Sequence, residues 1–411
     1  MPEAAVGNTA LSMEAAQRTL VKVLILAGGQ GERLLPLTAF RPKPLIPLGA
    51  GRVIDFTLRN CRNSGLPSAL VLTQYRHEQV AAHVRNHWNG QFTCLPPVTG
   101  QTYRGTGDAV FQNLALLLED GAQHVLILSA DHVYRMDYRK LIQRHMTTGA
   151  DATISAISCP GSEASAFGVM NVDEDLRVQS FVEKPSPPPE GTAFVSMGIY
   201  MFRMQALVET LRAHCDRKSG FDFGRDIIPS LIGRQRVFAY NFEQKGPSVT
   251  PYWKDIGTID SYYRTCMELA RPNPPLMAWD TVTSSESSPG LVNQNGVARV
   301  VRSVVSAGVR IEAGARVEDC VLMPNAHVGQ GVSLRRVIVD EGVYVPAGTS
   351  IDGEVRSESK TFTVSPDGVV VFTSTGPVKA PASPVRSERT IVARTEAALG
   401  QRLSAGSGLA S

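Results

Sequence analysis

Features that mark several large protein classes are missing from this sequence. Its 411 residues include only six cysteines, far apart (Cys61, Cys94, Cys159, Cys215, Cys266, Cys320) and with no C-x-x-C pair. That scatter speaks against a zinc knuckle or a disulfide framework, so the thiols read as reduced packing residues. No apolar run approaches the roughly 18–20 residues of a membrane span, and Met1–Arg18 lacks the charged start and apolar core of a signal peptide. The expectation is a cytoplasmic protein that touches no membrane. Charge of one sign is also missing: 41 basic residues against 38 acidic ones leave a net +3, with none of the dense basic surface of a nucleic-acid binder. Apolar residues are plentiful, at 43%, and the length suits two or more domains of roughly 100–200 residues each.

Residues 21–270 alternate apolar runs with helix-like stretches, the pattern of an α/β domain with a mostly parallel, Rossmann-like sheet. The runs are Val21–Ala27, Ala69–Thr73, His124–Ala130, Ala152–Ser158 and Phe194–Phe202. The first three end where a polar or glycine-rich motif begins, and in open α/β sheets ligands sit outside the carboxyl ends of the strands. A small-residue leader (1–20) precedes this domain and a Pro/Ser-rich linker (271–290) follows it. Beyond the linker, over 291–373, the period changes. Val305, Ile311 and Val317 stand six apart, and the triplet recurs every 17 residues as Leu322, Val328, Leu334 and then Val339, Val345, Ile351. With Gly308, Gly314, Gly329, Gly331, Gly342 and Gly348 at corners, this predicts a short left-handed parallel β-helix, a small antiparallel sandwich being the alternative. The last stretch, 374–411, has no core pattern and reads as a disordered tail, with a short helix at Val392–Leu403 as an option.

The chemistry gathers at the strand ends. The first strand runs into Gly28-Gly29-Gln30-Gly31-Glu32-Arg33, and Lys43 follows in Arg41-Pro42-Lys43-Pro44. Glycines let backbone N–H groups approach an anion closely, and two fixed cations bracketing such a loop suit a nucleotide polyphosphate. Asp131 follows its strand and Asp255 lies in Tyr252-Trp253-Lys254-Asp255. Mg²⁺ takes hard oxygen ligands, and two carboxylates at one crevice suffice for it, although either alone is equally an N-cap. Glu183 and Lys184 leave a strand side by side before Pro185. They read as a hydroxyl acceptor and a phosphate donor turned to one crevice, or as a plain surface ion pair. Tyr103-Arg104-Gly105-Thr106-Gly107 opens a helix and offers a floor for a base or sugar, or an ordinary cap.

In order along the chain, these words resemble the bacterial glucose-1-phosphate adenylyltransferases over about residues 21–372. The matching words include Leu26-Ala27-Gly28-Gly29-Gln30-Gly31, Ile54-Asp55-Phe56, Thr73-Gln74-Tyr75, Tyr103-Arg104-Gly105-Thr106, Asp131-His132-Val133-Tyr134, Val182-Glu183-Lys184-Pro185, Asp222-Phe223-Gly224 and Tyr252-Trp253-Lys254-Asp255-Ile256-Gly257-Thr258. The resemblance implies an allosteric homotetramer that joins ATP and glucose 1-phosphate into ADP-glucose with Mg²⁺. On that reading Gly28, Gly29 and Gly31 wrap the triphosphate and Arg33 and Lys43 neutralise it, with Gln74 near the nucleotide. Asp131 and Asp255 hold the metal. Glu183 accepts glucose hydroxyls, Lys184 binds the sugar phosphate, and Tyr103, Gly168, Ser196 and Asp222 complete the glucose 1-phosphate pocket.

The chain departs from the family pattern at several positions. Glu32 stands in the loop where Thr is usual, which requires it to point outward, and Ala130 and Gly107 replace a glycine and an alanine. Phe40 replaces a lysine found in relatives activated by fructose bisphosphate, so the activator does not carry over. Arg41, Arg52, Arg356 and Lys360 are the expected members of an anion site between the domains. Three rivals remain on sequence: a GDP-mannose pyrophosphorylase or similar enzyme of the same fold, a non-catalytic regulatory subunit, and an acyltransferase using the β-helix, for which His327 is the lone candidate base.

Overall fold

The structure is a computed structural model that describes residues 21–66, 68–98, 101–119, 121–215, 221–243, 251–271, 273–276, 292–293, 296–351 and 362–374. The leader, most of the linker, Arg356, Lys360 and the optional helix at Val392–Leu403 lie outside the described residues.

The N-terminal half is built on a nine-stranded sheet. Its strands are β1 (Val21–Ala27), β2 (Ala69–Thr73), β3 (Phe92–Leu95), β4 (His124–Ser129), β5 (Ala152–Pro160), β6 (Gly168–Val172), β7 (Val178–Glu183), β8 (Thr192–Arg203) and β9 (Val237–Asn241). The order β7-β6-β8-β4-β1-β2-β3 forms the main path, with β5 pairing both β8 and β9. The core pairs β4–β1, β1–β2 and β2–β3 are parallel, as is β5–β9. Pairs through β8 and the β6–β7 pair are antiparallel. The five expected apolar runs are all strands of this sheet. Strand β7 is the one expected to end at Glu183, and β6, Gly168–Val172, pairs with it although it is not among the expected runs.

Alternation along β1 explains the layering. Val21, Val23, Ile25 and Ala27 bury into one core together with Ile54 and Leu58 of helix α1 (Ile54–Asn63) and Val80 and Val84 of α2 (His77–His87). Leu24 turns to the opposite core with Ala109 and Val110 of α3 (Thr106–Gln112) and Leu207 and Leu211 of α4 (Met204–Cys215). Successive side chains of a strand face opposite ways, so one sheet serves two cores with a helical layer on each.

The C-terminal half is a parallel coil with the expected 17-residue rung. The ladders run Val305↔Leu322↔Val339, Ile311↔Val328↔Val345 and Val317↔Leu334↔Ile351, which are the three sequence triplets stacked face by face. Among the described residues, three corner columns adopt left-handed backbone, but glycine fills only some of them. One corner column is Gly308, Asn325, Gly342, the next Gly314, Gly331, Gly348, and the third Arg302, Asp319, Arg336. Left-handed backbone costs a non-glycine residue about 1–2 kcal/mol. In that third column, Arg302 is tied to Asp319 and Glu318 across one rung. Gly329, expected at a corner, is instead required by close approach, because a Cβ there would come within 2.7 Å of Ala347 N.

The coil docks on the N-terminal half through one face. Val304, Val321, Ile338 and Val371 share a buried cluster with Leu34, Phe56 and with Ile259 and Tyr262 of helix α5 (Ile259–Leu269). Polar contacts frame it: Tyr263 Oη donates to Asp319 O at 2.7 Å and Arg41 pairs with Asp340 at 2.6 Å. Arg52 grips Glu341 through two bonds of 2.8 Å. Of the expected anion site, Arg41 and Arg52 thus face carboxylates of the coil, while Arg356 and Lys360 lie outside the described residues.

Candidate active site

Strand β1 stops at Ala27 because the next residues are glycines. Gly31 needs its left-handed φ of 70°, and a Cβ there would come within 3.0 Å of Lys43 Cβ and 3.1 Å of Thr38 Cγ2. Thr38 Oγ1 donates to Gly31 O at 2.8 Å and pins the loop. The loop borders a cavity of about 500 Å³ lined also by Arg33, Lys43, Asp131 and Gly257. Glu32, expected to point outward, is exposed but also lines this cavity.

Lys43 organises the centre. Its Nζ lies 2.8 Å from Asp131 Oδ2 and 2.9 Å from Asp255 Oδ1, joining the end of β4 to a separate two-stranded ribbon, His132–Tyr134 with Trp253–Asp255. Burial alone would lower the Lys43 ammonium, but the two carboxylates outweigh it and hold its pKa above the ordinary value. Burial likewise pushes Asp131 up, yet Lys43 and His132 prevail and keep it well below the usual carboxylate range. Asp131, His132 and Asp255 bring one ligand atom each within 4.8 Å of one another. The donors suit a small hard cation: each aspartate turns one oxygen toward a point where a positive group already sits. The guanidinium of Arg33 lies close by, 3.0 Å from where a Gly257 Cβ would be, and Asp255 Oδ2 is 3.1 Å from the same point.

A second cavity, about 430 Å³, opens on the other side of Asp131, which lines both. Its walls include Gly28, Gln74, Tyr103, Glu183, Tyr200 and Asp222. Gln74 Oε1 accepts from Tyr103 N at 2.5 Å, locking the loop before α3 to the end of β2. Asp222 caps the helical turn Phe223–Ile227, accepting from Gly224 N at 2.9 Å, and takes Thr106 Oγ1 at 2.8 Å. Glu183 ends β7, and burial raises its pKa above the ordinary value despite Lys184 beside it.

The structure brings Gly28, Gly29, Gly31, Arg33, Lys43, Gln74, Tyr103, Asp131, Glu183, Asp222 and Asp255 to one rim of the sheet. Three expected residues stand differently. Gly168 lies behind Glu183, where a Cβ would meet Phe181 Cζ at 2.1 Å. Ser196 is buried with its Oγ 3.4 Å from Tyr200 Oη, so Tyr200, not Ser196, forms the cavity wall. Lys184 is exposed, pairs with Glu183 at 3.4 Å, and takes a left-handed φ of 48° that turns it beside its neighbour instead of opposite. Sequence reasoning singled out neither Ser129, Gly224 nor Gly257, although the last two stand inside quoted family words.

Two family models match the chain. One, described as nucleotidyl transferase, covers residues 22–271, and the other, a GlmU-like C-terminal hexapeptide model, covers 280–372. Curated relatives agree over nearly the whole length. "Glucose-1-phosphate adenylyltransferase 2" of Alkalilimnicola ehrlichii is 41% identical, over 85% of this chain and 93% of that protein. The protein of the same name from Vibrio cholerae is 40% identical over 85% and 96%. The "Glucose-1-phosphate adenylyltransferase" of Methylococcus capsulatus is 36% identical over 91% and 97%. With the crevice, the two-domain architecture and these likenesses in register, the chain belongs to the glucose-1-phosphate adenylyltransferase family of sugar nucleotidyltransferases.

Proposed function

We propose that this protein transfers the adenylyl group of ATP to α-D-glucose 1-phosphate, giving ADP-glucose and pyrophosphate, the activated donor for α-1,4-glucan synthesis. The observation that carries this reading is that Asp131 lines two cavities, one ringed by the glycine loop and fixed cations, the other by the carboxylates of Glu183 and Asp222. The triphosphate lies in the first and the sugar in the second, so the two phosphates meet at Asp131.

The nucleophile is a phosphate oxygen of glucose 1-phosphate, anionic at neutral pH, so no general base has to be created. Attack on the α-phosphorus expels pyrophosphate roughly in line, and catalysis is mainly positioning and charge neutralisation. Arg33 and Lys43 meet the charge on the transferred and leaving phosphates. Glu183 and Asp222 accept glucose hydroxyls, Lys184 binds the sugar phosphate, and Gln74 holds Tyr103 at the wall of the second cavity. Asp131 and Asp255 would hold Mg²⁺, which would supply Lewis-acid neutralisation of phosphate charge. The same reading takes the protein as a cytoplasmic, allosterically controlled homotetramer, which native mass measurement and a screen of sugar phosphates and AMP test. Among the described residues no helix is long and apolar enough to cross a membrane.

The decisive assay runs the reaction backward. Purified protein with ADP-glucose, pyrophosphate and Mg²⁺ should yield ATP, and failure to do so ends this reading. Exchanging ATP for GTP and glucose 1-phosphate for mannose 1-phosphate separates the GDP-mannose alternative.

A further inference from the structure

We propose that Ser129 is a positioning residue of the reaction centre: its hydroxyl selects which oxygen of Asp131 faces the crevice and so sets how well that carboxylate holds a divalent cation. The inference rests on the reading of Asp131 as a metal ligand.

Ser129 is the last residue of β4 and is held from two sides. It pairs in register with Leu26 of β1, and its carbonyl accepts Thr57 Oγ1 of α1 at 2.8 Å. The following residue keeps the frame, Ala130 N donating to Leu26 O at 3.0 Å. From this fixed point Ser129 Oγ donates to Asp131 Oδ1, and His132 Nε2 lies 3.4 Å from the same oxygen. Oδ2 alone is left to turn to Lys43 Nζ, at 2.8 Å. The terminal torsion of an aspartate is broad and nearly two-fold, so an untethered carboxylate would present either oxygen over a wide range of angles. A neutral donor on one oxygen removes that freedom without neutralising the charge.

The alternative is that Ser129 serves the sugar, since it also lines the second cavity. A serine hydroxyl has one proton. Spent on Asp131, that proton is not available to any sugar or phosphate oxygen, so Ser129 can offer the cavity acceptor lone pairs only. The geometry therefore assigns Ser129 to Asp131. Groups that orient a ligating carboxylate typically change metal affinity by about 10–100-fold when removed.

The test titrates Mn²⁺ into the full-length protein at saturating ADP-glucose and reads free Mn²⁺ by electron paramagnetic resonance. S129A should weaken Mn²⁺ binding by about 10–100-fold, S129T should restore it to near the wild-type value, and D131N should abolish it. In steady state S129A should need more Mg²⁺ for half-maximal rate while KM for glucose 1-phosphate holds. Should S129A fail to fold, S129C, similar in size and a much weaker donor, takes its place with the same expected loss. Unchanged binding in S129A beside a loss in D131N overturns the role of Ser129 alone. A rise in KM for glucose 1-phosphate with Mn²⁺ binding intact makes Ser129 a substrate contact and also overturns it. If D131N binds Mn²⁺ normally, or wild type takes up none, the metal reading of Asp131 falls and the proposal with it.

Discussion

Gly224→Ala tests the sugar cavity with a single methyl group. A Cβ on Gly224 would lie 2.5 Å from Glu183 Oε2 and 2.8 Å from its Cδ, whereas ordinary contact begins at 3.4 Å. Gly224 does not occupy the left-handed region, so alanine strains no backbone, and the group that must yield is the far end of a flexible side chain. The carboxylate therefore retreats by about 1 Å, a misplacement that in a positioned site costs about 100-fold, or about 2.7 kcal/mol. Initial rates at saturating ATP and varied glucose 1-phosphate should show that loss in kcat/KM for the sugar phosphate, with KM for ATP nearly unchanged. Thermal unfolding should move little, because no buried apolar contact is lost. A folded variant with normal kinetics would show that Glu183 does not grip the sugar. Equal losses for both substrates would point to a general collapse of the rim instead of a displaced carboxylate.

Asp131→Ala should abolish turnover with little change in folding, since Lys43 keeps Asp255 as partner at 2.9 Å; near-normal rates at saturating Mg²⁺ would remove Asp131 from the reaction. Lys184→Ala should weaken apparent affinity for glucose 1-phosphate and leave ATP nearly intact, and its exposed ion pair with Glu183 should make the change almost silent in an unfolding curve; an effect confined to ATP contradicts the role. Acid should destabilise the fold through His145, which is fully buried, bonded to Thr153 Oγ1 at 2.8 Å and 3.1 Å from His124, and whose pKa burial lowers from 6.5 to about 3. The unfolded chain takes up the proton that the folded one refuses, so stability falls as pH drops below the unfolded value and keeps falling toward the folded one. By about pH 5 the loss is about 2 kcal/mol relative to neutral pH. His145→Gln should flatten that slope in denaturant titrations; an unaltered slope refutes the assignment.

The coil was legible because its signal repeats. Nine apolar residues at fixed intervals predict three ladders, and the ladders stack those same residues. The corner at Arg302, Asp319 and Arg336 was not legible, because glycine was the only corner signal sought and this column keeps its left-handed turns with other residues. In the catalytic half, Gly28, Arg33, Lys43, Asp131 and Asp255 stood out because charge or glycine at a strand end has few structural uses. Gly224 and Ser129 carry no such mark. Gly224 matters only because residue 183 passes within reach of it, and Ser129 only because a carboxylate two residues on folds back to it. Approach between segments is a property of the fold, which a single sequence does not display.

The ion pairs of Arg41 and Arg52 follow the same logic and link the two halves. Arginines near a phosphate loop invite an anion, but an arginine takes a carboxylate of its own chain as readily as a ligand. Arg41 stands two residues before Lys43, and its partners Asp340 and Glu341 sit on the coil. Arg52 closes the other end of the segment with its bidentate grip on Glu341. The stretch carrying Lys43 is thus fastened to the coil on both sides. Asp255 is similarly placed, three residues before the cap of α5, whose Asp260 and Tyr263 bond to Ser365 and Asp319 of the coil. Asp131 lies between the end of β4 and the ribbon, whose His132 pairs in register with Asp255. Contacts to the coil thus flank Lys43 and lie in the first turns of α5, whose cap follows Asp255, so the packing between the two halves helps to hold the Lys43–Asp255 pair at 2.9 Å.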